Sequence, residues 1–328
     1  MKKKRRTGVV LFQLGGPDSL DAVEPFLYNL FSDPDIIDLP GAFLFRNALA
    51  RFISSRRAPK VRALYDSIGG KSPILKQTML QATHLAALLA RKGLNTDVRV
   101  AMRYWHPFTS ETAAELFRNP PDELILLPLY PQYSKATTAS SFNEWDRVVR
   151  TMNVARIPTK RIESYFDHPL YIDAIVEHVT QALDRFPKTE RGKVHLVFSA
   201  HGIPMKLVNA GDPYPAHIRR SYELVLERGR FNLPHHLCFQ SKVGPQKWLQ
   251  PSLTTTIERL AAEGVTHMVV VPIAFVTDHI ETLSEINIEA RKHAFALGVK
   301  RFEMMRALTA SKKFIACLAD LVMHRAKG

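Results

Sequence analysis

Val269-Val270-Val271-Pro272-Ile273-Ala274-Phe275-Val276-Thr277-Asp278-His279-Ile280-Glu281-Thr282-Leu283-Ser284-Glu285 changes its period once, at Thr277-Asp278, and that change points to the fold. Before it runs a β-branched apolar stretch, the pattern of a strand buried on both faces in a parallel sheet. After it the spacing turns helical, and Glu281, Glu285 and Glu289 fall at i, i+4 and i+8 on one helix face. Carboxylates so placed repel each other unless a cation or protons sit among them. Two roles fit the segment on its own. An imidazole and a carboxylate ladder at the end of a strand can handle metal or protons. Asp278 and Glu281 are also spaced as a capping box, with acidic residues in a first turn favoured by the helix dipole.

Outward from this segment, strand-like runs alternate with longer helical patterns, as in βαβ units with a parallel sheet. Three strand ends of the first half resemble three of the second. Gly8 to Leu14 runs into Gly15-Gly16-Pro17, and Val194 to Ala200 into His201-Gly202-Ile203-Pro204. Asp97 to Met102 runs into Arg103-Tyr104-Trp105-His106-Pro107, and His236 to Phe239 into Gln240-Ser241-Lys242-Val243-Gly244-Pro245. Leu124 to Leu127 leads to Tyr130-Pro131-Gln132-Tyr133-Ser134, and Met268 to Val271 to the opening segment. The pattern predicts an α/β protein of two similar lobes, residues 1–155 and 156–328, each a parallel sheet flanked by helices. The C-terminal helix can pack back on the first lobe. Ligands of such sheets bind outside the carboxyl ends of the strands, so these six loops should line a cleft. Their side chains are unusual for turns: His201, His279 and Glu281 from one half, Arg103, Tyr104, Tyr130 and Tyr133 from the other. Such a cleft suits a flat apolar ligand that exchanges protons or metal.

The 328 residues suffice for two ordinary domains, and 46% hydrophobic with 23% charged residues is a globular composition. A net charge of +14 and a pI near 9.8 favour anionic partners: nucleic acid, acidic lipid or carboxylated substrates. Lys2 to Arg6 is a basic run, but Val9 to Leu14 is short for a signal peptide core and reads as a first strand. No segment nears the ~20 apolar residues of a membrane-spanning helix. Cys238 and Cys317 match no zinc or iron–sulfur spacing and suit the reducing cytoplasm.

Pro40 to Phe45 and Leu49 to Ile53 are apolar and lead directly into Ser54-Ser55-Arg56-Arg57-Ala58-Pro59-Lys60. The combination suggests a membrane-surface contact or the lip of a lipophilic site, against a plain amphipathic helix with solvated basic ends. Ser72 to Lys92 is helical by pattern, with Leu75, Met79, Leu85, Leu88 and Leu89 as a core stripe. His84, His178, His195, His267 and His293 have no partner pattern and read as packing or surface residues. His235-His236 precedes a strand and offers two imidazoles to a metal, but reads first as a turn.

These residues resemble the ferrochelatase family, which inserts Fe²⁺ into a porphyrin to make haem. The match lies in Leu14-Gly15-Gly16-Pro17-Asp18, Ile68-Gly69-Gly70-Lys71-Ser72-Pro73, Tyr130 to Ser134, Phe198 to Pro204, Gln240 to Pro245 and Phe275 to Glu281, in the family's order along nearly the whole chain. The resemblance implies two Rossmann-like lobes around a porphyrin cleft. It implies catalysis by His201 and Glu281 with His279 and Asp278, and metal contact by His201, Glu281 and Glu285. Glu289 extends that row by spacing only. It further implies that Leu14, Arg57, Tyr65, Ser72, Arg103, Tyr104, Tyr133, Ser241 and Trp248 hold the porphyrin. Lys135 stands where some members have an iron–sulfur cysteine, and the cysteine-rich extension of those members is missing, so no [2Fe–2S] cluster and no permanently bound cofactor are expected. Leu14 stands where the coproporphyrin-using branch has a tyrosine, which favours protoporphyrin IX.

The expected reaction is therefore protohaem formation from protoporphyrin IX and Fe²⁺ with release of two protons, the last step of haem biosynthesis. The expected setting is the cytoplasm, with peripheral contact to inner-membrane lipid or to neighbouring haem-pathway enzymes. Coproporphyrin III is the alternative substrate. A cobalt or nickel tetrapyrrole chelatase would share fold and histidine, but the apolar and basic lip favours a lipophilic porphyrin. A nucleic-acid-binding module accounts for the charge alone, and no helix-turn-helix, zinc-finger or RNA-binding signature accompanies it.

Overall fold

A computed structural model describes residues 5–34, 42–152, 154–242, 244 and 246–327, with the side chains of residues 42–44 and 327 left aside. Lys2 to Lys4, Pro40 and Gly41 of the apolar stretch, and Val243 and Pro245 of the Gln240–Pro245 motif lie outside the described residues. The chain forms two compact units. The first comprises Met1–Tyr130, Ser134–Ser164 and Leu318–Gly328; the second comprises Pro131–Tyr133 and Tyr165–Cys317.

The first unit is built on β1 (Arg6–Gln13), α1 (Val23–Ser32), α2 (Ala42–Asp66), α3 (Ile74–Arg91), β2 (Asn95–Met102), α4 (Thr109–Arg118), β3 (Glu123–Pro128), α5 (Ser140–Thr151) and β4 (Thr159–Arg161). Its sheet has the order β2-β1-β3-β4, all parallel. The central strands are buried along nearly their whole length, as a parallel sheet covered on both faces requires. On one face Phe12 packs edge-on against Phe142 and Trp145, with Val10, Leu116 and Leu126 beside them.

The second unit repeats the plan with α6 (Pro169–Leu183), β5 (Val194–His201), α7 (Met205–Asn209), α8 (Tyr214–Gly229), β6 (His235–Gln240), α9 (Leu253–Ala262), β7 (His267–Pro272), α10 (Arg291–Ala296) and β8 (Arg301–Met304). A last helix, α11 (Lys312–Lys327), follows. The order β6-β5-β7-β8 is the first sheet's order again, and all its pairs are parallel. The matched strand ends of the sequence, β1 with β5, β2 with β6 and β3 with β7, thus occupy equivalent places in two Rossmann-like lobes. In each sheet the chain leaves the first strand to one side and returns on the other, so the switch point lies beside β1 and β3, or beside β5 and β7. Ligand crevices form there, outside the carboxyl ends.

Three sequence expectations need correction. The helix after β7 is a π-helix, Glu281–Ala290, and not an α-helix. Met79 is 48% exposed; the buried face of α3 is instead Ile74, Thr78, Gln81, Ala82, Leu85 and Leu89, so the polar Thr78 and Gln81 replace it in the stripe. His235 and His236 lie inside β6, where Tyr222 Oη meets His235 Nδ1 at 2.5 Å and His195 Nδ1 meets His236 Nε2 at 3.1 Å.

Candidate active site

His201 is the last residue of β5, and Glu281 opens the π-helix that follows β7, so both stand at the switch point of the second sheet. His201 Nε2 lies 3.3 Å from Glu281 Oε1. His201 Nδ1 is 2.6 Å from the carbonyl of Gly202, which can only accept, so Nδ1 carries the proton and Nε2 is left for chemistry. Burial alone would lower the His201 pKa. The negative charge of Glu281, its hydrogen bond and the Gly202 carbonyl reverse that and raise it to about 9. For Glu281 burial pushes upward, but His201 and His279 bring the carboxyl down to about 2. At neutral pH the pair is an imidazolium and a carboxylate.

His279 is in the opposite state. Burial, only partly opposed by Glu281 and Asp278, lowers its pKa, so it is neutral. Its Nδ1 accepts from the backbone N–H of Glu281 at 3.1 Å, and Phe275 packs on the ring at 4.5 Å. Asp278 accepts from Thr282 Oγ1 at 3.1 Å, and Thr282 Oγ1 in turn accepts from the His279 N–H. The expected capping box does not form. Thr282 caps the turn, and the Glu281 carboxylate, freed from the backbone, goes to His201.

Glu285 faces a different partner. The Ser241 N–H donates to its Oε1 at 2.7 Å and Ser241 Oγ donates to Oε2 at 2.5 Å. Ser241 reaches both oxygens from a left-handed backbone, φ 67°, a costly conformation for a residue with a Cβ. Burial raises the Glu285 pKa, against the pull of Ser241. Among the described residues His201, Glu281 and Glu285 do not converge as one three-ligand metal site. They form a row with Glu289, which is exposed. A cavity of about 400 Å³ runs beside that row, lined by Gly202, Gln240, Ser241, Trp248, Glu285 and Glu289 among others. Trp248 holds its ring 6.4 Å from that of His201.

Two second-unit residues escaped the sequence reading. Gln240, the last residue of β6, accepts from Ser199 Oγ at 2.7 Å and donates to the Glu281 carbonyl at 3.1 Å, tying β5, β6 and the π-helix together. Tyr214 Oη donates to the His201 carbonyl at 3.0 Å. Gln240 heads the Gln240–Pro245 motif but had no role assigned there, and Tyr214 lies in none of the motifs. Tyr133 lies in the same unit, its N–H on His217 Nδ1 at 3.2 Å.

The remaining candidates belong to the first unit. Leu14 and the turn Gly15-Gly16-Pro17 follow β1. A Cβ on Gly16 would come within 2.6 Å of Ser72 Cβ, and the Ser72 N–H donates to the Pro17 carbonyl at 2.8 Å, so this turn seats Ser72. Arg57 of α2 lies over the Phe31 ring at 5.4 Å. Arg103 follows β2, with its guanidinium on Ser140 and Asp33. Tyr65 and Tyr104 are buried, Tyr104 to 1% exposure, with Tyr104 Oη on Asp33 Oδ2 at 2.5 Å. Tyr104 thus offers little ring surface to a ligand; Arg103, stacked on it at 5.0 Å, stands in front.

The profile of the ferrochelatase family matches residues 6–326. The chain belongs to the ferrochelatase family. The ferrochelatase of Geotalea daltonii is 48% identical over 317 residues, 97% of each chain. That of Aquifex aeolicus is 45% identical over 322 residues, 97% of this chain and 99% of the relative. The solved structure of SirB from Bacillus subtilis with Fe³⁺ covers 98% of this chain and 95% of its own at a TM-score of 0.52 and 11% identity, a likeness of fold. Ferrochelatases are metal-chelating lyases, so the His201–Glu281 pair stands in a protein whose family inserts metal.

Proposed function

We propose that this ferrochelatase inserts Fe²⁺ into protoporphyrin IX at the His201–Glu281 pair, releasing two protons and forming protohaem. Family membership supplies iron and a porphyrin as substrates and haem biosynthesis as the setting. The observation that carries the site is the imidazole held by its Nδ1 on a backbone carbonyl, with Nε2 3.3 Å from a carboxylate. Each pyrrole N–H must give up its proton as an Fe–N bond forms. His201 begins protonated, so it accepts a pyrrole proton or an iron bond at Nε2 only after passing its own proton on. Glu281 is ionised and adjacent, able to take that proton or to bring the cation. Glu285, raised in pKa by burial, is the next acceptor, and exposed Glu289 the outlet or inlet. Trp248, at the cavity beside Ser241, is suited to press on one ring face and hold the macrocycle distorted, with nitrogen lone pairs out of plane.

Arg57, Ser72 and Arg103 are the proposed partners of the propionates, where a guanidinium fork matches a carboxylate. Leu14 in place of a tyrosine supports protoporphyrin IX over coproporphyrin III. The decisive experiment mixes protein, Fe²⁺ and each porphyrin anaerobically and follows loss of free-porphyrin fluorescence. A higher kcat/KM for coproporphyrin III would overturn the substrate choice. Work without an iron–sulfur cluster is part of the proposal, since two cysteines cannot supply the four thiolates a cluster takes. Iron assay of the purified protein, finding none in stoichiometric amount, is the check.

A peripheral, cytoplasmic setting completes the proposal. Among the described residues no helix is long and apolar enough to cross a membrane. Phe45 and Phe52 of α2 are 69% and 59% exposed, and Arg56 lies over Phe52 at 5.3 Å. Exposed aromatics beside arginines suit an anionic lipid surface.

A further inference from the structure

Asp33 closes α1 with a fully buried carboxylate, and the chemistry above makes no use of it. Three donors from two places in the first unit, the loop after β2 and the start of α5, meet on its Oδ2: Tyr104 Oη at 2.5 Å, Ser140 Oγ at 2.6 Å and Arg103 Nη2 at 2.9 Å. A buried carboxylate needs a compensating charge, and Arg103 provides it. The effect on Arg103 is larger. Its Nη2 is on Asp33, its Nε donates to Ser140 Oγ at 2.8 Å, and its plane lies over the Tyr104 ring at 5.0 Å. Among the described residues Nη1 has no hydrogen-bond partner, and 14% of the side chain is open. Guanidinium donors lie in one rigid plane, so fixing Nε and Nη2 fixes where Nη1 points.

We infer that Asp33 is a positioning residue: it orients Arg103 so that the two Nη1 donors are held ready for a carboxylate of the porphyrin. The inference rests on Arg103 being a porphyrin contact. A loose arginine would have to lose side-chain freedom on binding, whereas one fixed by Asp33 has lost it already. Tyr104 and Ser140 complete the mount, which accounts for a tyrosine at a ligand-binding loop end being buried.

The test measures protoporphyrin affinity by quenching of intrinsic fluorescence, and KM against kcat, in Arg103→Met, Asp33→Asn and the double variant. Arg103→Met should weaken porphyrin binding roughly tenfold, the loss of about one directed charge-assisted hydrogen bond. Asp33→Asn should weaken it by a similar factor, mainly in KM, and should add nothing in the Arg103→Met background. Additive losses, or a fall in kcat that tracks the melting temperature, would mean a structural network only and overturn the inference. If Asp33→Asn does not fold, Asp33→Leu with Arg103→Met removes the buried charge together with its partner. Affinity equal to that of Arg103→Met then supports the inference, and a further loss overturns it. Unchanged affinity in Arg103→Met itself would remove the underlying contact, an outcome distinct from loss in Arg103→Met with none in Asp33→Asn.

Discussion

Replacing Glu281 by glutamine isolates what the carboxylate does to His201. In the native site burial pulls the imidazole down, and Glu281 more than reverses it, to about 9 from 6.5. Glutamine keeps the shape but loses the charge, so burial should then govern and His201 should titrate below 6.5. At ~1.4 kcal/mol per pH unit the native shift corresponds to roughly 3 kcal/mol. The two side chains are 34% and 27% exposed, and water screens a pair so open, leaving a coupling of about 1–2 kcal/mol. The sign follows from linkage. A raised histidine pKa stabilises the fold fully below 6.5 and ceases to as pH rises through about 9. A lowered carboxyl pKa stabilises above 4.5 and ceases to as pH falls through about 2. Glu281→Gln should therefore cost most between pH 4.5 and 6.5 and least above 9. Histidine-labelled NMR gives the pKa directly, and urea midpoints across pH give the stability. A His201 that still titrates near 9 in the variant, or a stability loss that grows towards alkaline pH, would refute the reasoning.

Glu285→Gln should slow turnover less than Glu281→Gln, since Glu285 is held by Ser241 and not by His201; equal or reversed kcat losses would break the order of the row. Gly16→Ala places a methyl 2.6 Å from Ser72 Cβ and should lower stability by ~1–3 kcal/mol and raise porphyrin KM together, read by denaturation and steady-state kinetics. Arg57→Ala should raise the KM for porphyrin about tenfold and leave that for Fe²⁺ within error. Phe45→Ser with Phe52→Ser should reduce co-sedimentation with phosphatidylglycerol vesicles without changing kcat on detergent-dispersed porphyrin; equal sedimentation would remove the lipid contact from the proposal.

The sheets were legible because parallel strands buried on both faces read as near-continuous apolar runs, and Val9 to Phe12 of β1, Leu124 to Leu127 of β3 and Met268 to Val271 of β7 are such runs. The repeat was legible because the same three strand ends recur in the same order. The pairing of His201 with Glu281 was not: their strands are neighbours in the sheet but far apart in sequence, and the resemblance alone joined them. Asp33 gave no signal, since a single acidic residue after a helix reads as a cap or a turn, and only the fold brings Tyr104, Ser140 and Arg103 to it.

The π-helix marks the deeper limit of the sequence. Its i→i+5 bonding is no period that apolar patterning announces, and such segments are rare and found at functional sites. Its origin can be argued from its first turn. An ordinary capping box would have turned Glu281 back on the backbone of Asp278. Here Thr282 takes the cap, the Glu281 N–H is spent on His279 Nδ1, and its carbonyl accepts from Gln240. With N–H and C=O both drawn to neighbours, Glu281 is free to send its carboxylate to His201. Four residues on, Ser241 holds Glu285 in its turn, from a strained backbone that only a fixed partner would keep in place. Of the carboxylates that looked like one uninterrupted α-helical stripe, Glu281 and Glu285 are thus each given a separate partner, and Glu289 is exposed. That arrangement relieves the repulsion the spacing alone would create, and it makes the row a series of distinct steps for a proton or a cation.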